Sequence, residues 1–228
     1  MSLYQQLQER ERQQNPIRVG LIGAGKFGAM YLAQIPRTPG VHLVGIADLS
    51  PDAARENLKR VGWDLSRTQA NSIESAIAEN SCFITEDWTK LVNADQIDVI
   101  VECTGNPIAA VEHCLKAFSQ GKHVVNVTVE ADAFCGPLLA KKAQEANVVY
   151  SLAFGDQPAL ICDLVDWART CGFPVVAAFA ADQRLHAHLF RVLVRPLDPQ
   201  RRAAAQVVPG CGLAAVAGLA GAELFQVV

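Results

Sequence analysis

The chain has 228 residues, half of them hydrophobic and 19% charged, which is enough apolar material for one large domain or one and a half. Its formal net charge of −3 argues against nucleic acid or an anionic membrane surface as the main partner, and its polar amino terminus is unlike a signal peptide. The seven cysteines form no C-x-x-C pair or zinc-type cluster, so we expect reduced, mostly buried thiols in a cytoplasmic protein.

The first predicted strand, residues 17–22, runs into a glycine-spaced turn and a helix over 27–35. In dinucleotide-binding folds, the spacing G-x-G-x-x-G allows a tight turn, lets a pyrophosphate approach the backbone and lets the helix pack on the strand. Ordinary loops also contain such glycines, so the motif alone is weak and its context decides. The predicted cofactor-binding residues of this turn are Gly23, Gly25, Lys26, Phe27 and Gly28.

The second predicted strand, 41–47, ends in Asp48, about 20 residues beyond the last glycine of the turn. The dinucleotide fingerprint places its acidic residue there, because a carboxylate accepts hydrogen bonds from both hydroxyls of the adenosine ribose. The alternative role for Asp48 is to cap the helix predicted over 51–61. Ser50 and Arg55 can hold a 2′-phosphate if Asp48 turns away, so both NAD and NADP remain candidates.

The third main strand, 97–102, follows a less regular region, 62–96, which predicts an extra helix and a short strand. A small-residue turn with Thr104 and Gly105 separates this strand from a helix over 107–119. Ligands of open parallel sheets bind beyond the carboxyl ends of the strands. We therefore expect Thr104 and Gly105 to line the ribose and nicotinamide side of the cofactor, with a generic strand-to-helix turn as the alternative.

The next strand, 122–128, is followed by Glu130 and Asp132. Carboxylates at this edge of the sheet can shuttle a proton or hold a divalent ion, so a metal ion is a candidate second cofactor. For Glu130, a catalytic role and the absence of any role in the site are both open. For Asp132 we favour a cap on the helix over 136–146.

A further strand, 147–153, leads into Gly155-Asp156 and a helix over 158–171. Asp156 fits the amino-terminal cap of that helix. Because the helix starts where a strand leaves the sheet, Asp156 is also a candidate catalytic residue facing a phosphorylated substrate. A last strand is predicted over 175–180.

Continuous apolar strands that alternate with helices predict a parallel sheet covered on both faces, which is a Rossmann-type doubly wound α/β fold. Beyond residue 180 the chain has arginines but no lysine and long runs of Ala, Val and Leu. A shifted reading frame and a divergent natural appendage both account for this composition. We therefore divide the chain into a polar extension (1–15), an NAD(P)-binding domain (16–150), the beginning of a catalytic domain (151–180) and an atypical tail (181–228).

Several stretches of the sequence, above all "VEAD" and "YSLAFGDQPALIC", resemble the homoserine-dehydrogenase-like proteins that carry a carboxy-terminal SAF domain. The resemblance covers roughly residues 16–180. That family includes deoxyxylulose-phosphate reductoisomerase-like enzymes, which make methylerythritol phosphate with NADPH for isoprenoid synthesis. The resemblance implies a Rossmann domain, NADPH, a small-molecule substrate such as a sugar phosphate, and a longer chain with a full catalytic domain. The resemblance slightly favours NADPH over NADH as the cofactor.

True homoserine dehydrogenases are less similar to this chain. They carry a T-A-N-K-like segment whose lysine assists hydride transfer, whereas Val129 and Glu130 stand near that position here. Three functions therefore remain open: an NADPH-dependent reductoisomerase of deoxyxylulose phosphate, a homoserine dehydrogenase, and a dinucleotide-binding fragment without catalysis. A homo-oligomer is a candidate assembly for the chain.

Overall fold

The computed structural model describes residues 2–153, 157–172, 174–183, 187–194 and 223–226. The chain divides into two compact units, Met1–Leu152 and Ala153–Val228. The strands of the first unit are β1 (Ile17–Ile22), β2 (Val41–Ala47), β3 (Phe83–Thr85), β4 (Val99–Glu102), β5 (His123–Asn126) and β6 (Tyr150–Leu152). Its helices are α1 (Leu3–Arg12), α2 (Lys26–Gln34), α3 (Pro51–Arg60), α4 (Ile73–Ala78), α5 (Thr89–Val92), α6 (Pro107–Ser119) and α7 (Val129–Glu145), with short 3-10 helices at Ile35–Arg37 and Leu65–Thr68.

The six strands of the first unit form one sheet in the order β3-β2-β1-β4-β5-β6, and all neighbours are parallel. The predicted doubly wound α/β fold is therefore confirmed. The order reverses between β1 and β4, where Ile22 lies opposite Ala47 on one side and Glu102 on the other. Parallel sheets bind ligands in the crevice outside the carboxyl ends of the strands at this switch point. The fold therefore brings the residues that follow β1, β2 and β4 to one place.

The core lies on both faces of this sheet. Successive residues of a strand point to opposite faces, so Leu21 and Ile22 belong to different hydrophobic clusters. Leu21 packs in the cluster with Leu32 of α2 and Leu58 of α3. Ile22 packs in the cluster to which α4, α5, α6 and α7 contribute. Because helices cover both faces, the strands are apolar throughout rather than alternating.

Helix α7 begins earlier than the sequence predicts. The prediction started this helix at residue 136. In the structure, α7 begins at Val129 and bends at Cys135, whose φ of −146° and ψ of 22° are not helical. The bend accommodates Pro137 inside the helix. Asp132 is therefore not the predicted cap, since Thr128 occupies the N-cap position and Asp132 lies in the first turn.

The polar amino-terminal extension also contains structure that its composition does not reveal. Residues Leu3–Arg12 form α1, which starts with a capping box between Ser2 and Gln5. No residue of α1 is buried. Without an apolar stripe, the segment gave no helical signal in the sequence.

The described residues of the second unit form α8 (Gln157–Thr170) and three antiparallel strands in the order β7-β8-β9. The strands are β7 (Val175–Gln183), β8 (Ala187–Val194) and β9 (Glu223–Gln226). The predicted strand over 175–180 was expected to join the parallel sheet, and this is wrong, because β7 pairs antiparallel with β8, Val175 with Val194 and Gln183 with Ala187. The compositional change near residue 181 therefore lies inside β7.

The part of the chain that the structure describes contains no helix that is both long and apolar enough to cross a membrane. Among its cysteines, Cys82, Cys103 and Cys114 are buried, Cys135 is half-buried and Cys171 is exposed, all as free thiols. Burial raises the pKa of Cys103 and of Cys114 to about 12, which disfavours the reactive thiolate. This pattern fits the expectation of mostly buried thiols.

Candidate functional site

The glycine turn after β1 has two glycines that the local packing requires. Gly23 has a φ of +93°, and a Cβ built on it lies 2.8 Å from the backbone of Cys103 and from the backbone nitrogen of Thr104. A Cβ on Gly28 would collide with the carbonyl oxygen of Gly23. The first glycine thus lets the end of β1 approach the end of β4, and the third lets α2 pack on the turn.

Gly25, by contrast, faces open space. Apart from its chain neighbours, no atom of the described residues lies within 4 Å of a Cβ built on it, and its φ of −69° suits any residue. It is the N-cap of α2, and no side chain caps this helix. The first N–H groups of an uncapped helix are unsatisfied and carry partial positive charge. Lys26 and Phe27 follow at the exposed start of the helix.

Asp48 is tied to the glycine turn. Its Oδ2 accepts a hydrogen bond of 2.8 Å from the N–H of Ala24, and its Oδ1 accepts one of 2.9 Å from the N–H of Ser50. Asn57 of α3 donates to the carbonyl oxygen of the same Ala24, also at 2.8 Å. The carboxylate therefore lies beside the turn that the glycine spacing predicted, and the side chain is half-buried.

Arg55 does not join this group in the structure. Its guanidinium lies 3.1 Å from the carboxylate of Asp52 on the exposed side of α3. Ser50 is the N-cap of α3 and accepts a hydrogen bond from the N–H of Ala53. The two residues proposed to hold a 2′-phosphate are thus engaged in local contacts at the start of that helix.

Thr104 and Gly105 follow β4 on the other side of the switch point. The N–H of Thr104 lies beside Gly23, as described above, and both residues are exposed. Gly105 has a φ of +70°, which favours glycine at this position. Asn106 then caps α6 by accepting hydrogen bonds from the N–H groups of Ile108 and Ala109. The structure brings this turn and the glycine turn together, as the sequence predicted.

Glu102, the last residue of β4, is a buried carboxylate that sequence reasoning did not single out. Its side chain is fully buried. Oε1 accepts hydrogen bonds from the N–H of Thr104 at 3.2 Å and from its hydroxyl at 2.5 Å, and Nδ1 of His113 lies 3.3 Å away. Oε2 accepts from the hydroxyl of Thr128. The available signal was a charged residue ending the apolar run "IDVIVE", because buried carboxylates require partners.

The hydrogen bonds around Glu102 continue to the neighbouring strands. Asn126 donates to the carbonyl oxygen of Thr128 and to the hydroxyl oxygen of Tyr150, at 3.1 and 3.0 Å. The hydroxyl of Tyr150 donates to Asp132 at 3.0 Å. Burial raises the pKa of Tyr150, so its hydroxyl stays protonated. A chain of polar groups therefore runs beneath the carboxyl ends of β4, β5 and β6.

Of the two candidate catalytic carboxylates, Glu130 and Asp156, only the first lies among the described residues. Glu130 is exposed in the first turn of α7, near the end of β5. Asp156 lies outside the described residues. Within the described part of the chain, no group of three or more His, Cys, Asp or Glu side chains is arranged to hold a metal ion.

Comparison with known proteins gives two family matches. Residues 23–152 match the family model described as homoserine dehydrogenase, NAD-binding domain, and residues 155–189 match the model described as oxidoreductase DRL, catalytic domain. The second match extends past residue 180, where we expected recognisable similarity to stop.

Individual relatives are similar at modest identity. A homoserine dehydrogenase from Neisseria gonorrhoeae is 27% identical over 137 residues, which cover 59% of this chain and 28% of that protein. A 4-carboxy-2-hydroxymuconate-6-semialdehyde dehydrogenase from a Sphingobium species is 26% identical over 134 residues, which cover 58% of this chain and 36% of that one. The crystal structure of a homoserine dehydrogenase from Thiobacillus denitrificans superposes with a TM-score of 0.46 at 25% identity, covering 60% of this chain and 29% of that chain. The chain thus matches about a third of the length of its curated relatives.

Proposed function

We propose that the first unit binds a nicotinamide dinucleotide, because this chain belongs to the family of homoserine dehydrogenase NAD-binding domains. The binding site lies across the carboxyl ends of β1, β2 and β4. The observation that carries this proposal is the open space at Gly25, where α2 starts without a side-chain cap. Unsatisfied N–H groups at a helix start form an anion site, and open space lets a pyrophosphate reach them.

The two halves of the cofactor follow from the sheet order. Asp48 ends β2 on one side of the switch point, while Thr104 and Gly105 follow β4 on the other. We place the adenosine ribose beside Asp48 and the nicotinamide half beside Thr104 and Gly105, because dinucleotides bind across this crevice. Lys26 and Phe27 then flank the pyrophosphate.

Between the two cofactors, we propose that the site prefers NAD. The sequence-based preference for NADPH requires Asp48 to turn away, but that movement would break its hydrogen bonds to the N–H groups of Ala24 and Ser50. A fixed carboxylate repels a 2′-phosphate by roughly 4 kcal/mol per charge pair at 4 Å and an effective dielectric near 20. The ion pair of Arg55 with Asp52 also favours this choice.

For the whole protein we propose an NAD(P)-dependent oxidoreductase that transfers hydride between the cofactor and a small molecule. The family membership and the match of residues 155–189 to a catalytic domain support this activity. Deoxyxylulose phosphate as the substrate rests on the resemblance described above. Glu130 at the rim of the sheet is the candidate catalytic group of the first unit, and Asp156 is the second candidate.

Two alternatives remain as proposals of lower rank. A homoserine dehydrogenase activity has to work without the lysine of the T-A-N-K-like segment, because Val129 and Glu130 begin α7 at that place. Binding without turnover is favoured by the short reach of the catalytic-domain match, residues 155–189. Neither alternative changes the binding site proposed here.

Isothermal titration calorimetry of the 228-residue chain with NADH tests the binding proposal. We expect Gly25→Val to lower the affinity for NADH at least tenfold, because the branched side chain occupies the space through which the pyrophosphate reaches the backbone. The same variant should remain folded with only a modest fall in unfolding midpoint, since its Cβ meets no described atom and the cost is that of a less favourable N-cap residue. Unchanged affinity in a folded Gly25→Val variant, or no binding by the wild type, would refute the proposal.

A further inference from the structure

We propose that Glu102 is a positioning residue that fixes the hydroxyl oxygen of Thr104 as a hydrogen-bond acceptor for the nicotinamide half of the cofactor. This inference rests on the proposed dinucleotide function. It adds the residue that makes the hydroxyl of Thr104 a hydrogen-bond acceptor in that site. Glu102 itself does not reach the cofactor, since its side chain is fully buried. It acts through Thr104, which is exposed in the turn after β4.

The donors around Glu102 identify it as an acceptor. The N–H of Thr104 can only donate, and it points to Oε1 at 3.2 Å. The hydroxyl of Thr128 accepts a hydrogen bond of 3.0 Å from the N–H of Gly105, so its own proton is available for Oε2. With the hydroxyl of Thr104 the two oxygens have three donors, and Nδ1 of His113 is a fourth in the tautomer that carries its proton there. An ionised carboxylate accepts such a set and donates nothing.

The same geometry assigns the proton of Thr104. At 2.5 Å from Oε1, its hydroxyl donates to the carboxylate and cannot donate elsewhere. The hydroxyl oxygen keeps two lone pairs, and the N–H of Asn106 approaches one of them at 3.3 Å. The other lone pair is open on an exposed turn. It accepts a hydrogen bond from a ligand N–H or O–H, which the carboxamide and the ribose of a nicotinamide nucleotide both supply.

Glu102 also joins the two turns that border this half of the site. Thr104 belongs to the turn between β4 and α6, whereas Thr128 precedes α7 after β5. Both hydroxyls meet the one carboxylate, and Gly105 bonds directly to Thr128. The rim beside the switch point therefore has its shape fixed before any ligand arrives, which reduces the ordering cost of binding.

The test compares ligands that contain different parts of the dinucleotide. We would titrate ADP, ADP-ribose and NADH by calorimetry into the wild-type chain and into Thr104→Val, Thr104→Ser and Glu102→Gln. Thr104→Val should weaken NADH at least fivefold and leave ADP within twofold, and Thr104→Ser should restore NADH affinity. If Thr104→Val weakens the binding of ADP-ribose as well as that of NADH, the contact is with the ribose hydroxyls. If the affinity for ADP-ribose is unchanged, the contact is with the carboxamide.

Glu102→Gln keeps the side-chain volume. Its amide oxygen takes the place of Oε1, where the N–H and hydroxyl of Thr104 donate, and its NH₂ faces Thr128, whose hydroxyl must reverse its proton. Because this weakens the connection between the two turns but keeps an acceptor for Thr104, we expect NADH binding to weaken less than in Thr104→Val, with ADP binding retained. If Glu102→Gln does not fold, the pair Thr104→Val and Thr104→Ser decides alone, because Thr104 is exposed. Equal weakening of ADP and NADH, or NADH affinity unchanged in Thr104→Val, would overturn the inference. Failure of the wild type to bind NADH would instead refute the proposed function.

Discussion

Both carboxylate oxygens of Asp48 accept hydrogen bonds from backbone N–H groups, and we expect this fixed carboxylate to disfavour a 2′-phosphate. Hydrogen bonds to a charged group contribute about 1.5–3 kcal/mol each, so turning the side chain away is costly. We expect NADH to bind more tightly than NADPH, and Asp48→Asn to raise the relative affinity for NADPH at least tenfold. Titration of both cofactors measures the ratio.

Arg55→Ala is the matched control for this prediction. Because Arg55 pairs with Asp52 on the exposed side of α3, its loss should leave the NADPH to NADH affinity ratio unaltered. A selective loss of NADPH binding in Arg55→Ala would show that this guanidinium holds the 2′-phosphate. That outcome would restore the preference for NADPH that the resemblance implies.

Gly28 and Gly25 provide a second test at single positions. Alanine at Gly28 would drive its Cβ into the carbonyl oxygen of Gly23, so backbone must shift. We expect Gly28→Ala to lower the free energy of unfolding by about 1–3 kcal/mol, the usual cost of overpacking. Gly25→Ala should lower it less, by about 0.5 kcal/mol, because its Cβ meets open space and only the N-cap preference for glycine over alanine is lost. Urea unfolding of both variants checks this, and equal stabilities would contradict the proposed packing of the turn.

The sequence predicted the parts of the site that depend on local spacing. The glycines and Asp48 were found because strand, turn and acid follow each other in a fixed order along the chain. Glu102 and Thr128 were missed because they are 26 residues apart and meet only when β4 and β5 pair. A buried carboxylate is recognisable from its partners, and these are a property of the folded sheet.

The buried histidine of β2 makes the stability of the first unit depend on pH. His42 is 9% exposed, and its Nε2 lies 2.8 Å from the carbonyl oxygen of Ser81, in the segment before β3. Burial lowers its pKa, the hydrogen bond to Ser81 raises it, and Arg67 and Arg18 lower it. The net shift is downward, so the folded protein favours the neutral ring.

The sign of the effect follows from this shift. An unfolded histidine takes up a proton near pH 6.5, and the folded one does so only at lower pH. The contribution of His42 to stability is therefore complete above about pH 6.5 and is lost as the pH falls towards the folded pKa. His42→Gln keeps an N–H donor for Ser81 and does not titrate. We expect urea unfolding at pH 7.5, 6.0 and 5.0 to show a smaller loss for His42→Gln than for the wild type, whereas equal losses would contradict this role.

Among the elements, β1, β2 and α6 have the predicted bounds, and α7 does not. Continuous apolar runs and a proline at the first helical position mark those three unambiguously. For α7 the predicted start was residue 136, whereas the structure begins the helix at Val129 and continues it through a bend at Cys135. The bend fits Gly136 tightly, since a Cβ there would collide with the carboxylate of Asp132. Such a contact across one turn is not visible as a pattern.

At the scale of the whole molecule, the two units differ in how far the sequence determined them. The parallel sheet of the first unit follows from alternating strands and helices. In the second unit, the apolar run at 175–180 fits a buried parallel strand equally well, yet β7 pairs antiparallel with β8. Apolar composition indicates burial of a strand, but its partner depends on residues beyond it, here 187–194.

The last prediction concerns turnover by these 228 residues. Hydride transfer requires the substrate within about 3–3.5 Å of the reacting nicotinamide carbon, among charges that are already in place. The catalytic-domain match comprises only residues 155–189, and the chain spans 28% and 36% of the two curated relatives. Arginines 184, 191 and 195, one inside this stretch and two beyond it, are candidate phosphate ligands that no pattern supports. We therefore expect NADH to bind with little or no turnover.

Oxidation of NADH and NADPH is measured with deoxyxylulose phosphate and a divalent metal ion, and separately with aspartate semialdehyde, the oxidised partner of homoserine. A full-length relative serves as the positive control, and Gly25→Val sets the background rate. Because binding and turnover are measured on the same preparation, an inactive chain that binds NADH is distinguished from a misfolded one. Turnover within tenfold of the relative would show that these residues hold a working active site, and Glu130→Gln would then test the exposed carboxylate at the start of α7.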